Sequence, residues 1–415
     1  MENKIILTQI CKNESHVVNR MLNSVKNFVD ILCIVDTGST DSTIEDIKKW
    51  GKENKVETHV FERPFDNFEK SRNYSIEMAE KIANDKNDKN TYYGFWLDFD
   101  EQLIIDKDFD KSSLDKDLYM VTTYINTMKY TRNELYKLNK GFHFYGPVHE
   151  FIVPPKDVDP KTLTSDILNG VSVNVSMDGG SWVNGNIHKK YKNHATILEN
   201  YINDENRDPR WVFYTAQSYH DSANVPNNRE EQEERLRRAL KYYKERVFTN
   251  KGYFEERFYS QYRIGTISHR LEKPWSETEQ ELIKAFEIDP LRGESIKVII
   301  DYYQQMGRWN MSYMWTSSAI KSFHNKSPYP KFNGDPNGRL LFLDESLYLW
   351  KFLDLHATSC YYTRRIDEAK ECFNELVNIM KAVPEKFSED DMKRIMTNKQ
   401  NIDGQITSTN KQPVN

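Results

Sequence analysis

The residues that could do chemistry are concentrated after a short apolar segment in the first quarter of the chain. Residues 94–97 are Gly-Phe-Trp-Leu, a pattern that predicts a buried strand, and Asp98 and Asp100 follow it. Side chains alternate between the faces of a strand, so we expect the two aspartates to point the same way. Paired carboxylates repel each other unless a cation lies between them, and a divalent cation shared with substrate phosphates is the usual solution. The alternative for this common tripeptide is a solvated acidic turn.

The pattern around these acids alternates between strands and helices. Apolar strand patterns cover residues 4–10, 31–35, 56–61 and 92–97, and helical periodicity covers residues 15–29, 44–54 and 68–83. This alternation predicts an α/β domain with a mostly parallel sheet and helices on both faces. In such a sheet, ligands bind at the carboxyl ends of the strands.

Polar clusters follow three of the predicted strands, at residues 8–14, 36–41 and 98–101. Because the strands belong to one parallel sheet, we expect these clusters to lie close together although they are far apart in the chain. Thr8, Asn13 and Glu14 in the first cluster are therefore among the expected cofactor contacts.

Two further side chains suit a nucleotide. Asp36 ends a predicted strand, where its carboxylate can accept a hydrogen bond from a base imide or a ribose hydroxyl. Arg72 lies early in a predicted helix, and its guanidinium group matches the oxygens of a diphosphate. The alternatives are helix capping for residues 39–43 and a surface salt bridge for Arg72.

Four stretches, taken in order, resemble family 2 glycosyltransferases of the GT-A fold, and they are residues 10–14, 35–43, 71–73 and 96–101. The resemblance covers residues 1–190. It implies a nucleotide-sugar donor, usually a UDP-sugar, together with Mn²⁺ or Mg²⁺ and inversion at the anomeric carbon. By this analogy Asp36 contacts the uracil, Asp98 the ribose and Asp100 the metal. Arg72 would lie near the base or the diphosphate.

A second pair of polar residues, His149 and Glu150, follows a Gly-Pro turn at residues 146–147. An inverting transfer needs a general base, and we predict Glu150 for that role and His149 as a metal or phosphate contact. The alternative is that the two side chains bond to each other or to the backbone. The Gly-x-x-His-Glu element is similar to one in the subgroup of these enzymes that carry helical repeats, whereas the better-known Glu-Asp pair is missing. Residues 178–181 predict a mobile loop that could cover the site.

The second half of the chain is helical in pattern. Its helix pairs are similar to tetratricopeptide repeats, and such arrays offer a concave surface for a polypeptide or a partner protein. We therefore predict a catalytic domain at residues 1–187, a helical domain at residues 188–382 and a polar, partly disordered tail at residues 383–415. A polypeptide acceptor and self-association are the two expected uses of the helical domain.

Composition narrows the class of protein further. The net charge is −5 over 415 residues, so we expect no general attraction to nucleic acid. Four scattered cysteines support neither a disulfide framework nor a zinc ribbon. No apolar run is long enough for a membrane span, and the first residues lack a signal-peptide pattern. We expect a soluble, cytoplasmic or otherwise intracellular protein.

The leading hypothesis is an inverting, metal-dependent hexosyltransferase that moves a sugar from a nucleotide-sugar to a hydroxyl of a glycan or polypeptide acceptor. One alternative is a nucleotidyltransferase that uses the same carboxylates, although its usual glycine-rich basic loop is missing after the first strand. The other alternative is a helical-repeat scaffold with a degenerate catalytic half.

Overall fold

The chain folds into two compact units. The computed structural model describes residues 2–125, 128–179, 187–203, 207–324 and 341–409. The first unit is Met1–Ala239 and the second is Leu240–Asn415. The first unit contains the sheet and its covering helices, and the second is built almost entirely of helices. The structure confirms the predicted fold class, a mostly parallel sheet domain followed by a helical region.

Ten strands lie in the described part of the first unit. They are β1 (Asn3–Cys11), β2 (Ile31–Asp36), β3 (Glu57–Glu62), β4 (Thr91–Phe95), β5 (Glu101–Ile105), β6 (Leu118–Ile125), β7 (Met128–Lys137), β8 (His143–Tyr145), β9 (Phe151–Val153) and β10 (Ser165–Val175). Strands β8 and β9 form a separate antiparallel hairpin.

The other eight strands form one sheet in the order β3-β2-β1-β4-β7-β6-β10-β5. Strands β3, β2, β1 and β4 run parallel, because the connection from each of β1, β2 and β3 to the next strand in the chain contains a helix that returns the chain to the same end of the sheet. Strand β7 then pairs antiparallel with both β4 and β6. The parallel half therefore presents the carboxyl ends of β1, β2 and β4 side by side.

Helices of the first unit cover both faces of this sheet, and further helices follow its last strand in the chain. They are α1 (Val18–Val25), α2 (Thr43–Asn54), α3 (Phe68–Asp85), α4 (Ile187–Tyr201) and α5 (Pro209–Ser222), and the unit boundary falls within α6 (Arg229–Phe248). One apolar cluster packs α1 and α2 against one face of the sheet, and a second packs α3 against the other. The sheet is therefore buried on both faces, as its continuous apolar strands predict.

One prediction about the acidic run was wrong in detail. Strand β4 ends at Phe95, two residues earlier than predicted, and Asp98 and Asp100 lie in the connection to β5. Strand β4 pairs with only three residues of β7, which limits its length. The alternation of side chains in a strand therefore does not decide where the two aspartates point.

The described part of the second unit contains mainly helices. They are α7 (Phe254–Arg270), α8 (Trp275–Ile288), α9 (Glu294–Gln305), α10 (Trp309–Phe323), α11 (Phe352–Tyr362), α12 (Ile366–Ala382) and α13 (Glu389–Thr409), together with the two-residue strand β11 (Leu343–Asp344). Two apolar clusters hold successive helices together. Helix α13 occupies part of the segment predicted as a tail and buries Ile395 and Ile402. The predicted domain boundaries and the tetratricopeptide-like repetition stay predictions.

Among the described helices, none combines the length and the apolar composition that crossing a bilayer requires.

Candidate functional site

The loops after β1 and β2 are joined by hydrogen bonds. The backbone N–H of Asn13 donates to Ser39 Oγ at 3.0 Å, and the N–H of Thr40 donates to Asn13 Oδ1 at 2.8 Å. The N–H of Glu14 donates to Thr43 Oγ1 at 2.8 Å. Two of the predicted polar clusters therefore form one connected surface at the carboxyl edge of the sheet.

Asp36 shapes the second of these loops. Its side chain is 3% exposed, and its Oδ2 accepts hydrogen bonds from the N–H groups of Gly38 and Ser39 at 3.0 Å. Gly38 has φ +108°, a conformation that favours glycine, and this turn brings both N–H groups back to the carboxylate. The contact between Asp36 and a nucleotide base stays a prediction.

Thr8 lies inside the sheet. Its hydroxyl is 2.8 Å from the Tyr136 hydroxyl and donates to Phe95 O at 3.2 Å. Tyr136 has room because it pairs with Gly94, where an added Cβ would lie 2.5 Å from the tyrosine ring. The structure thus gives Thr8 a partner in the core, and its role as a donor contact stays a prediction.

Arg72 forms ion pairs with both Asp98 and Glu150, which belong to two separate predicted polar clusters. It lies in the second turn of α3, with its side chain almost fully buried, and its Nη2 donates to Asp98 Oδ1 at 2.8 Å. Its Nε donates to Glu150 Oε1 at 2.6 Å. Burial alone would lower the pKa of Arg72, but the two carboxylates outweigh this effect and raise it, so the guanidinium group stays charged. Its third nitrogen, Nη1, is buried with no hydrogen-bond partner among the described residues.

Asp98 and Asp100 differ in their charge environment. Burial acts to raise the pKa of Asp98, but the Arg72 guanidinium outweighs this effect and holds it below its usual range. Burial raises the pKa of Asp100 to about 7, and the negative charges of Asp98, Glu101 and Glu14 add to the rise. Asp98 therefore has a cationic partner in Arg72, whereas Asp100 lies in a region with an excess of negative charge.

The turn between Asp98 and Glu101 is locked by an ion pair that the sequence analysis did not identify. Arg132 donates to the two oxygens of Glu101 at 2.8 and 2.9 Å, and Glu101 Oε2 also accepts from the N–H of Asp98 at 3.0 Å. Arg132 Nε donates to the buried Glu134 at 2.6 Å. The guanidinium groups of Arg132 and Arg72 lie 4.7 and 4.9 Å from the Trp96 ring centroid. Arg132 and Glu134 are two residues apart in β7. Side chains at that spacing share a face of a strand, and this is the sequence signal that could have indicated the pair.

Glu14 and Asp100 approach one another beside Gly179. A Cβ added to Gly179 would lie 3.0 Å from Asp100 Cβ and 3.4 Å from Glu14 Oε2. The preceding residue, Asp178, accepts hydrogen bonds from Arg20 of helix α1, which fixes the start of this segment. The rest of the predicted lid, residues 180–181, lies outside the described residues.

His149 and Glu150 face different neighbours. The His149 ring stacks on Tyr214 of α5 with 4.4 Å between centroids, and its Nε2 lies 3.3 Å from Ser218 Oγ. Burial lowers the pKa of His149 well below its usual range, and the positive charges around it lower it further. The imidazole is therefore neutral, and its role as a metal ligand stays a prediction. Glu150 is 11% exposed and is held by Arg72.

Lys190 is a second site residue that the sequence analysis did not assign. It lies in the first turn of α4. Burial lowers the pKa of Lys190. The carboxylates of Asp100, Asp98 and Glu14 act in the opposite direction, because each of them favours the charged ammonium group. A cation from α4 thus faces the acidic edge of the sheet.

The chain was also compared with known proteins. No known protein-family profile matches it. No curated protein sequence matches it. Among solved structures, S. aureus TarS matches with a TM-score of 0.32 and 12% identity over 63% of this chain and 52% of TarS. TarS 1–349 in complex with UDP matches with a TM-score of 0.24 and 12% identity over 81% of this chain and all of that one.

A third similar structure is BtubC (BKLC) from P. vanneervenii, with a TM-score of 0.31 and 11% identity over 55% of this chain and 93% of BtubC. TarS is matched over about half of its length. At these TM-scores the matches carry no information about the activity of this chain.

Proposed function

We propose that this chain is a glycosyltransferase that takes a nucleotide-diphosphate sugar, with UDP as the expected nucleotide, and transfers the sugar to a hydroxyl group with inversion. The observation that supports this proposal most strongly is the convergence of the loops after β1, β2 and β4 at one edge of a parallel sheet. Strand β1 lies between the other two, with Cys11 paired to Asp36 on one side and Leu7 paired to Phe95 on the other. Asp36, Asp98 and Asp100 therefore flank the same strand end, where parallel sheets bind ligands.

The charges at this edge suit a diphosphate bound together with a divalent cation. Arg72 has one buried N–H-bearing nitrogen, Nη1, without a partner among the described residues, and a phosphate oxygen is a suitable acceptor for it. Asp100 has a raised pKa because of burial and negative neighbours, and a bound cation would relieve that repulsion.

The donor set fits Mn²⁺ or Mg²⁺. These ions prefer oxygen ligands, and they bind commonly through one or two protein carboxylates and the substrate phosphates. Asp100 would hold the ion, with Glu14 as the neighbouring carboxylate. When bound, the ion supplies positive charge that stabilises the departing diphosphate. His149 is the other predicted ligand, but its described contacts are with Tyr214 and Ser218.

In an inverting transfer, the acceptor oxygen forms a bond to C1 of the sugar as the bond from C1 to the diphosphate breaks, and a base removes the acceptor proton. Glu150 is our proposed base. Because Arg72 is bonded to its Oε1, the proton would be taken up by Oε2. The same ion pair gives Glu150 a second possible task, which is to hold Arg72 in place.

The proposal is tested by ligand binding and donor hydrolysis. UDP with Mn²⁺ should raise the melting temperature of the wild-type protein, and a screen of UDP- and GDP-sugars should identify a donor that is hydrolysed. Asp100→Ala should remove the Mn²⁺-dependent part of the shift and lower hydrolysis at least about 100-fold, the scale of losing a main electrostatic contact.

Asp108→Ala is the matched control, because Asp108 is exposed in the connection after β5. It should behave like the wild type. A protein that no nucleotide stabilises and that hydrolyses no sugar nucleotide would contradict the proposal and favour the scaffold hypothesis. Full activity in Asp100→Ala would reject the metal assignment alone.

A further inference from the structure

A second group of metal-ligand side chains lies in the helical unit. His356 and Cys360 of α11 and Glu368 of α12 bring one ligand atom each to within 4.8 Å of one another, and no other such group of three occurs in the described part of the chain. His356 and Cys360 are four residues apart on one helix, so they share a face. Glu368 reaches the same point from the first turn of α12.

The spacing of the three atoms suits a tetrahedral ion. Cys360 Sγ lies 3.5 Å from His356 Nε2, and His356 Nε2 lies 3.0 Å from Glu368 Oε1. Zinc bond lengths of about 2.3 Å to sulfur and about 2.1 Å to nitrogen or oxygen give ligand separations of about 3.6 Å and about 3.4 Å in a tetrahedron. These two separations differ from the tetrahedral values by a few tenths of an ångström, and the third, between Cys360 Sγ and the Glu368 carboxylate, lies within 4.8 Å. Side-chain movements would bring the three atoms onto one ion.

The hydrogen bonds around His356 also point to a cation. Thr316 Oγ1 donates to Tyr313 O at 3.1 Å, so its lone pairs can accept from His356 Nδ1–H at 2.9 Å. A neutral imidazole that donates through Nδ1 carries a lone pair on Nε2. In that tautomer the lone pair is directed at Glu368 Oε1 and is available to a metal ion, whereas in the other tautomer Nε2–H donates to Glu368.

Burial of the ligand side chains also suits a metal site. His356 is almost fully buried and Cys360 is completely buried. The contact between His356 Nδ1 and Thr316 is in the position that orients metal-binding histidines in known sites.

We propose that His356, Cys360 and Glu368 bind one zinc ion that links α11 to α12, with water in the fourth position. Binding releases the thiol proton of Cys360 to solvent, and the sulfur ligates as a thiolate. The Glu368 side chain is 40% exposed, which gives the ion a path from solvent. Tyr313 donates its hydroxyl proton to Glu368 Oε2 at 3.1 Å and so orients the carboxylate.

Cobalt substitution tests this site separately from the sugar-transfer site. The full-length protein is stripped with a chelator and titrated with Co²⁺, and the absorbance is followed. Ligation by Cys360 should produce a thiolate-to-cobalt charge-transfer band that saturates at one equivalent and disappears when Zn²⁺ is added. A carboxylate site such as Asp100 lacks sulfur and cannot produce that band.

Two variants locate the ion. Cys360→Ala should lose the charge-transfer band, whereas Cys372→Ala, a buried cysteine on α12, should keep it. Glu368→Gln should weaken Zn²⁺ binding at least about tenfold. If Cys360→Ala fails to fold, the wild-type titration and Glu368→Gln still decide the question. A wild-type protein without the band, or a band that persists in Cys360→Ala, would overturn the proposal.

Discussion

Arg72 is the residue on which the geometry of the candidate site depends most. It is bonded to Asp98 on one side and to Glu150 on the other, and both bonds are formed in a buried region. Removing one partner of a buried ion pair is costly, because the remaining charge loses its compensation. Substitutions at Glu150 therefore test two roles, proton transfer and the positioning of Arg72.

Glu150→Gln separates these roles. The amide keeps an oxygen that can accept the Arg72 Nε–H bond, but it cannot take up a proton. If Glu150 is the base, kcat should fall about 100-fold or more while the affinity for UDP stays the same. The measurement is steady-state transfer kinetics together with UDP titration.

Glu150→Ala is the companion variant, since it removes both the proton acceptor and the support for Arg72. A larger loss of UDP affinity in Glu150→Ala than in Glu150→Gln would indicate the positioning role. Unchanged turnover in Glu150→Gln would place the base elsewhere.

The part of this site that could be predicted is the part encoded by local sequence patterns. Asp36, Asp98 and Asp100 each follow an apolar strand, so their meeting at one edge follows from strand order alone. The partner of Glu101 was not predictable, because Arg132 reaches it through the antiparallel insertion of β7 next to β4. The sequence analysis predicted no strand at the position of β7, and strand patterns contain no information about which strand another one joins.

At the scale of elements, the fold prediction succeeded where helices and strands alternate and was less accurate where they do not. The parallel strands and their crossover helices follow from the periodicity of the sequence. The end of β4 was misplaced because Trp96 and Leu97 are buried without belonging to a strand, and burial is what an apolar pattern reports.

The connection between α8 and α9 contains a buried acid whose charge should affect stability. Asp289 is 2% exposed, its Oδ1 accepts from the N–H of Leu291 at 3.0 Å, and its Oδ2 has no partner among the described residues. Burial raises the pKa of Asp289 to about 7 from an ordinary value of 3.8. The folded state therefore holds a proton that the unfolded state releases, and stability falls as the pH rises between about 4 and about 7.

Asp289→Asn should remove this loss, because the amide keeps the acceptor for Leu291 and never ionises. We expect the free energy of unfolding of the variant minus that of the wild type to be about 2 to 4 kcal/mol larger at pH 8 than at pH 4.5. Urea denaturation at both pH values measures the difference. Asp390→Asn, at an exposed position in α13, is the control. A difference that does not change with pH would show that the Asp289 carboxyl titrates normally.

At the scale of the whole first unit, helices that lie beyond the predicted domain boundary pack against the β8–β9 hairpin. Val148, Leu198 and Trp211 form a buried cluster with Tyr145 and Phe151 of the β8–β9 hairpin. Helices α4 and α5 supply two of the three buried members, so they cover the hairpin whose connection contains Glu150. A cut after residue 187 would expose this cluster to water.

A fragment of residues 1–187 should therefore lack a cooperative thermal transition, whereas a fragment of residues 1–248, which ends with α6, should melt cooperatively. Loss of a buried tryptophan alone costs about 3 to 5 kcal/mol, a large fraction of the stability of a domain. Circular dichroism melting and gel filtration compare the two fragments. Equal, cooperative melting of both would indicate that α4 and α5 are not needed for the sheet to fold.

The contact between Gly94 and Tyr136 has a consequence for how this protein varies among its descendants. A methyl group at position 94 would collide with the phenol ring, and the phenol in turn supplies the hydroxyl that Thr8 contacts. A lineage that acquires a larger residue at position 94 must therefore shrink position 136, and it then gains nothing by keeping a hydroxyl at position 8. These three positions should be inherited as a set, and they should change together or not at all.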